Sequence, residues 1–104
     1  MRAFTAAEWK RLETCDPNLQ QIVAEAAKSA VLFVVEGHRD KDAQERAFRD
    51  RKSKLRWPQS RHNKTPSKAV DLAPLDEDGR IAWNDRDGFR GIAAAMRDAA
   101  VKAG

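Results

Sequence analysis

Two residues of this chain stand out as able to do chemistry together: His62 and, nine positions on, Asp71. The imidazole lies in a polar stretch of Ser, Asn, Lys, Thr and Pro. The carboxylate lies in a short β-like run, 69–73, whose alternation sends Val70 and Leu72 to one face and Asp71 to the other. An acid within an apolar strand needs a partner, and a metal or a cation would serve. Placed together at a strand mouth, the pair supplies two of the three protein ligands of a catalytic zinc. Arg39 follows Gly37 at the end of a second apolar run. Its permanently charged guanidinium can donate two parallel hydrogen bonds to a substrate carboxylate or a developing oxyanion, or pair with Asp40 or Glu36. Ser60 can serve as a hydrogen-bond donor to a substrate or to the surroundings of the histidine, or cap the loop. His38 is the only other histidine. Alternation puts it opposite Arg39, so it reads as a surface or hydrogen-bonded residue.

The segment Ser60-Arg61-His62-Asn63-Lys64-Thr65-Pro66-Ser67-Lys68-Ala69-Val70-Asp71-Leu72-Ala73-Pro74 resembles the zinc-ligand motif of a known family. It is that of the D-alanyl-D-alanine carboxypeptidases and phage L-alanyl-D-glutamate endopeptidases, peptidoglycan peptidases with the hedgehog/D,D-peptidase fold. Their phage-type variant, His-Asn-x-x-Pro-Ser-x-Ala-Val-Asp, stands here nearly letter for letter. Gly37-His38-Arg39 is similar to the family's Gly-x-Arg, with His38 where relatives carry an aromatic or aliphatic residue. The likeness spans roughly residues 16–104 and is strongest at 36–39, 60–74 and 81–101.

The resemblance implies zinc held by His62 and Asp71. It implies Arg39 as the contact to a substrate carboxylate or oxyanion, and Ser60 as the small polar residue preceding the ligand. The implied reaction is hydrolysis of an amide in the bacterial cell-wall peptide stem, of the L-Ala-D-Glu or D-Ala-D-Ala type, in a phage or prophage setting. In relatives a later segment, Trp-Gly-Gly-Asp-Trp-like and ending Pro-His-Phe-like, carries the catalytic acid and the last zinc histidine. No acid followed by x-x-His or Pro-His occurs after residue 87. The expectation is therefore a peptidase-like domain over 1–104 without its general base, third ligand and C-terminal strand. Two readings stay open: an endolysin-like zinc peptidase, and a truncated or degenerate relative that binds stems or needs a complementing fragment or dimer partner.

Bulk properties exclude other classes. At 104 residues the chain can bury one core with little surplus. No apolar run approaches the roughly 18 residues of a transmembrane helix, and the first residues lack the apolar core of a signal peptide. The expectation is synthesis in the cytoplasm and action on the wall after lysis or phage delivery. One cysteine, Cys15, allows no internal disulfide and no Cys-rich zinc cluster. Net charge is +4, with eleven basic against four acidic residues over 38–68 and six acidic against two basic over 71–87. Phe48 and Trp57 are the only aromatics of the basic stretch, too few for a base-stacking platform, so a nucleic-acid partner is the weakest of the classes.

The elements that must position these residues read as α+β: a small antiparallel sheet of about three strands packed with helices. Thr5-Ala6-Ala7-Glu8 is a capping box opening a helix to about Glu13. Asp16-Pro17 starts a second helix with Leu19, Ile22, Val23, Ala26 and Ala30 on one face. Residues 31–35 form a strand, and a helix runs from Asp42 to about Lys52 with Ala43, Ala47 and Phe48 inward. After a polar loop over 53–68, strand 69–73 and a turn at Asp76-Glu77-Asp78-Gly79 lead into a returning strand at 81–83. A last helix over 85–102, capped by Asn84 or Asp85, buries Phe89, Ile92, Ala93, Met96 and Ala100, with Gly104 as its C-cap. Trp57 and Trp83 read as packing residues.

Overall fold

The structure, a computed structural model, describes residues 2–103. Helices α1 (Ala6–Glu13) and α2 (Pro17–Ala26) precede strand β1 (Phe33–Glu36), followed by α3 (Lys41–Arg49), β2 (Asp71–Ala73) and α4 (Arg86–Ala103). The capping box at Thr5 forms as its spacing requires, Thr5 Oγ1 accepting the Glu8 N–H and Glu8 accepting the Thr5 N–H. Asp16 caps α2 ahead of Pro17, and Asp85 caps α4 by accepting the Gly88 N–H at 2.9 Å. The expected C-cap, Gly104, lies outside the described residues.

β1 and β2 pair antiparallel, with α1 against β1, α4 against β2 and α2 against α4. Leu12, Val23, Ala26, Leu32, Val34, Ile92, Ala95 and Ala99 form the core between these layers. Each large apolar side chain buried here contributes roughly 1.5–3 kcal/mol. The expected third strand is present only as a bridge between Leu75 and Ile81. Asp76 explains the shortfall: its carboxylate accepts the Asp78 and Arg80 N–H groups and closes a tight turn, with Gly79 at φ +81°, so little ladder is left.

Three expectations shift by local geometry. α3 starts earlier than Asp42 because Asp40 caps it, accepting the Ala43 N–H at 2.8 Å. The buried member of α3 is Gln44, whereas Phe48 lies exposed beneath the Arg56 guanidinium. On α4 the buried stripe is Ile92, Ala95 and Ala99 with Met96 beside it, while Ala93 and Ala100 face outward. A run of consecutive alanines carries no periodicity, so the helix turns its face by whatever α2 will accept.

The register places the site. Phe33 faces Ala73 and Val34 faces Leu72, but the next pair is Glu36 with Asp71. Two residues of β1 thus span one of β2, a β-bulge at Val35. In a regular ladder Glu36 would return to the core face with Val34. The bulge instead re-aims it beside Asp71.

Candidate metal centre

His62 rides on a single 3-10 turn, Arg61–Asn63, within the loop after α3. Ser60 caps that turn: its Oγ accepts the His62 N–H at 3.2 Å, and its own N–H goes to Asn63 Oδ1 at 3.0 Å. The Asn63 amide donates to the Arg39 carbonyl and to Gln44 Oε1, and the His62 carbonyl accepts the Arg39 N–H. The loop is thereby pinned to the end of β1. Gln44, fully buried, also accepts from Arg39 Nη1 at 2.8 Å and donates to Ser53 Oγ and the Leu55 carbonyl. Every polar atom of this buried amide has a partner, which makes it a rigid support.

The imidazole orientation is set by chemistry. Its Nδ1 lies 2.7 Å from the Gly37 carbonyl, which can only accept, so Nδ1 carries the proton. Gly37 is glycine of necessity: a Cβ there would sit 2.3 Å from the Arg11 carbonyl and 2.4 Å from Thr14 Oγ1. Nε2 is left pointing at Asp71, 3.3 Å from Oδ1. This arrangement, one ring nitrogen tied to a carbonyl and the other presented to a carboxylate, is how proteins fix a metal-ligating histidine.

Glu36, His62 and Asp71 offer one ligand atom each, all within 4.8 Å of one another. Bonds of about 2.0–2.1 Å in a tetrahedral site put donors roughly 3.3–3.4 Å apart. The His62–Asp71 separation already meets that requirement, and a Glu36 carboxylate oxygen lies within 4.8 Å of both. One imidazole nitrogen and two carboxylate oxygens suit zinc. The residues fit the ion.

Arg39 knits the two acids together. Nε donates to Glu36 Oε1 at 2.8 Å and Nη2 approaches Asp71 Oδ2 at 3.4 Å, with the arginine itself buried. The electrostatics follow. Hydrogen bonding from His62, opposed by burial and helped by Arg39, holds the Asp71 carboxyl below the usual carboxylate range. Burial works against the His62 imidazolium, but the Asp71 carboxylate and the Gly37 carbonyl outweigh it and push its pKa up. A proton or a metal ion can bridge Nε2 and Oδ1.

A cleft of about 790 Å³ opens from this cluster. Glu36, Arg39 and Asp71 line it together with the face of α3 that carries Ala43, Arg46, Ala47 and Asp50, and with Lys52 beyond that helix. Trp83 and Phe89 line its wall. Trp83 is thus a cleft residue, 62% exposed, and not a packing residue. Trp57, by contrast, is held at the loop by its backbone N–H, which donates to Glu45. His38 turns away to Thr65 Oγ1 at 3.5 Å.

Residues 2–104 match the family described as phage L-alanyl-D-glutamate peptidase. The chain belongs to that family. The crystal structure of Serratia marcescens L-Ala D-Glu endopeptidase ChiX is similar to it, at 29% identity and a TM-score of 0.79, over 96% of this chain and 72% of that one. No curated protein matches the chain. The peptidase fold assembles the motif residues His62, Asp71, Arg39 and Ser60 within one hydrogen-bonded unit. It adds Glu36 and Gln44, which spacing alone does not single out. In the sequence Glu36 is visible only as a possible partner of Arg39, and the bulge that re-aims it leaves no mark in the residue pattern.

Proposed function

We propose that this chain is a peptidoglycan peptidase acting on the L-Ala-D-Glu bond of the cell-wall stem, with zinc held by His62, Asp71 and Glu36. The observation that carries the reading is the His62 imidazole fixed through Nδ1 with Nε2 presented to Asp71 beside a second carboxylate, Glu36, both acids lining a substrate-sized cleft. Membership of the L-alanyl-D-glutamate peptidase family, together with the likeness to the Serratia L-Ala D-Glu endopeptidase, favours that bond over D-Ala-D-Ala.

Zinc, when bound, supplies Lewis acidity toward the scissile carbonyl. The chain's own residues do the rest. Ser60, Asn63 and Gly37 hold His62 in orientation, and Arg39, itself held by Gln44, holds the carboxylates. Arg39 lines the same cleft and keeps N–H groups beyond the three that Glu36, Gln44 and Asp71 engage, with which to meet a substrate carboxylate or oxyanion. Trp83 and Phe89 offer an apolar wall to the stem. No helix among the described residues is long and apolar enough to cross a membrane. The family's action on peptidoglycan points to the wall as the place of work.

A second reading has its own support: Arg39 engages both Glu36 and Asp71, so neither acid of the cluster is an unencumbered proton carrier. On that reading the chain binds stems without cutting them, or acts with a complementing chain. Digestion of purified cell wall, with new amino termini identified by mass spectrometry and metal counted per chain, decides between them. New D-Glu amino termini that vanish on chelation support the peptidase. Zinc bound without any cleavage supports the binding protein.

A further inference from the structure

The part of the cleft lined by the C-terminal half of α3 and the residues after it has a charge pattern of its own. Arg46, Asp50 and Lys52 all line it and all are exposed. Arg46 and Asp50 stand four apart, a spacing at which opposite charges on a helix can pair. Yet none of the three takes part in any ion pair among the described residues. Ala43 and Ala47, on the same face, keep the floor between them low.

The backbone accepts strain to make this arrangement. Beyond α3 the Lys52 N–H returns to the Ala47 carbonyl at 2.8 Å and the Arg51 N–H to Phe48 at 3.1 Å. That is a Schellman closure, in which the left-handed residue is normally glycine. Here it is Arg51, at φ +62°. The closure doubles the chain back so that Lys52 stands over the cleft beside Asp50. Cations near a helix C-terminus also complement its dipole, but that benefit does not need two of them aimed into a groove around an acid.

We infer that Arg46, Asp50 and Lys52 form a subsite for a side chain ending in both an ammonium and a carboxylate, the far end of a diamino diacid next to D-Glu in the stem. Asp50 takes the ammonium, and Arg46 with Lys52 takes the carboxylate. A lysyl side chain, with an ammonium alone, would leave both cations unmatched. Reach is compatible: Ala43 to Asp50 is roughly 10 Å along the helix, and two extended residues with a long side chain span that from the scissile bond. This inference rests on the stem-peptide reading above and names what the site selects.

The test measures binding, so it does not depend on turnover. The zinc-loaded chain is titrated calorimetrically with L-Ala-γ-D-Glu-X analogues whose L-Ala-D-Glu amide is replaced by an uncleavable ketomethylene link, where X is meso-diaminopimelate, the same residue with its far carboxylate amidated, or L-lysine. The diaminopimelate peptide should bind roughly tenfold more tightly than the other two. In the double variant Arg46→Gln/Lys52→Gln that preference should fall to within about twofold, whereas Asp50→Asn, which removes the ammonium contact common to all three peptides, should weaken all three by a similar factor and keep their order, each at unchanged zinc affinity. Equal wild-type affinity for the three peptides, a preference surviving the double variant, an Asp50→Asn protein that binds all three as the wild type does, or no binding at all overturns the subsite. Cleavage of cell wall by the wild type judges the peptidase reading separately, whatever the titrations give.

Discussion

Strand β1 carries a carboxylate–arginine pair at each end, and the two pairs have opposite characters. At its start, Glu8 reaches in from α1 and is completely buried. It accepts four hydrogen bonds, two from Arg2 and one each from the Thr5 and Val34 N–H groups. At its end, Glu36 and Asp71 share Arg39, and their side chains are 37% and 49% exposed. A saturated, dry carboxylate is structural, because it has no lone pair left to offer. Half-exposed carboxylates held by one shared guanidinium keep oxygen lone pairs in reach of a ligand. The count of donors around each acid, more than its burial, separates scaffold from site.

The sharpest way to break this comparison is to remove the ligands. His62→Ala or Asp71→Asn should weaken zinc binding by more than about 100-fold in chelator competition, since a lost ligand costs at least what lost supporting contacts do. Asp71→Asn should leave folding stability within about 1 kcal/mol, as expected for a half-exposed carboxylate, whereas His62→Ala also empties a buried position and should cost more. Glu8→Ala should do the reverse. It strands the Val34 N–H and the Arg2 guanidinium, costing about 3 kcal/mol in urea unfolding, with zinc affinity unchanged in the molecules that remain folded. If Glu8→Ala is neutral or Asp71→Asn unfolds the protein, the two ends have been assigned the wrong way round.

Gln44→Ala sharpens the middle ground. Without the buried amide, Arg39 and Asn63 lose a common acceptor, and zinc affinity should fall about 10–100-fold, the usual effect of removing outer supports. Glu36→Gln should cost about tenfold in the same titration. An unchanged affinity would remove Glu36 from the ligand set and leave it as Arg39's partner.

Acid titration distinguishes the two ends again. Burial works to raise the Glu8 carboxyl, but Arg2 and the Thr5 and Val34 N–H groups overcome it and hold its pKa below the ordinary value. With the folded pKa depressed, the unfolded chain binds the proton first as pH drops. The stability Glu8 contributes is therefore fully present above the unfolded pKa of about 4.3 and is lost as pH falls through the lower folded value. The urea midpoint of the wild type should decline over that window. Glu8→Gln should show a flatter decline, and an identical slope in both would contradict the assignment. The smallest effect belongs to Arg51→Gly, which should raise stability by about 0.5–1 kcal/mol by relieving the left-handed backbone.

Much of this is legible in the residues. Thr5, Asp16 and Asp85 act where cap chemistry says they should, because a cap is a contact within one turn. His62 and Asp71 are recognisable because their motif carries both the loop and the strand that join them. Glu36 is hidden by the bulge at Val35, a pairing irregularity decided between strands and not along one. Gln44 is hidden because a helix glutamine ordinarily faces water, and only Arg39 and Asn63 explain its burial. The α4 face departs from expectation over its alanines, where the pattern holds no information, and the third strand gives way to the tight turn that Asp76 imposes.

Gly37 links the histidine to the C-terminal end of α1, which hydrogen-bonds to neither Glu36 nor Asp71. Its Cα lies against the end of α1, where the Arg11 carbonyl and Thr14 leave no room for a methyl, while its own carbonyl grips the imidazole. The Thr14 hydroxyl oxygen, moreover, accepts the next N–H, that of His38, at 2.8 Å. The first helix is therefore a datum against which the height of the histidine is gauged. Substitutions at its final turn should detune ion capture from behind, with every coordinating atom still in place.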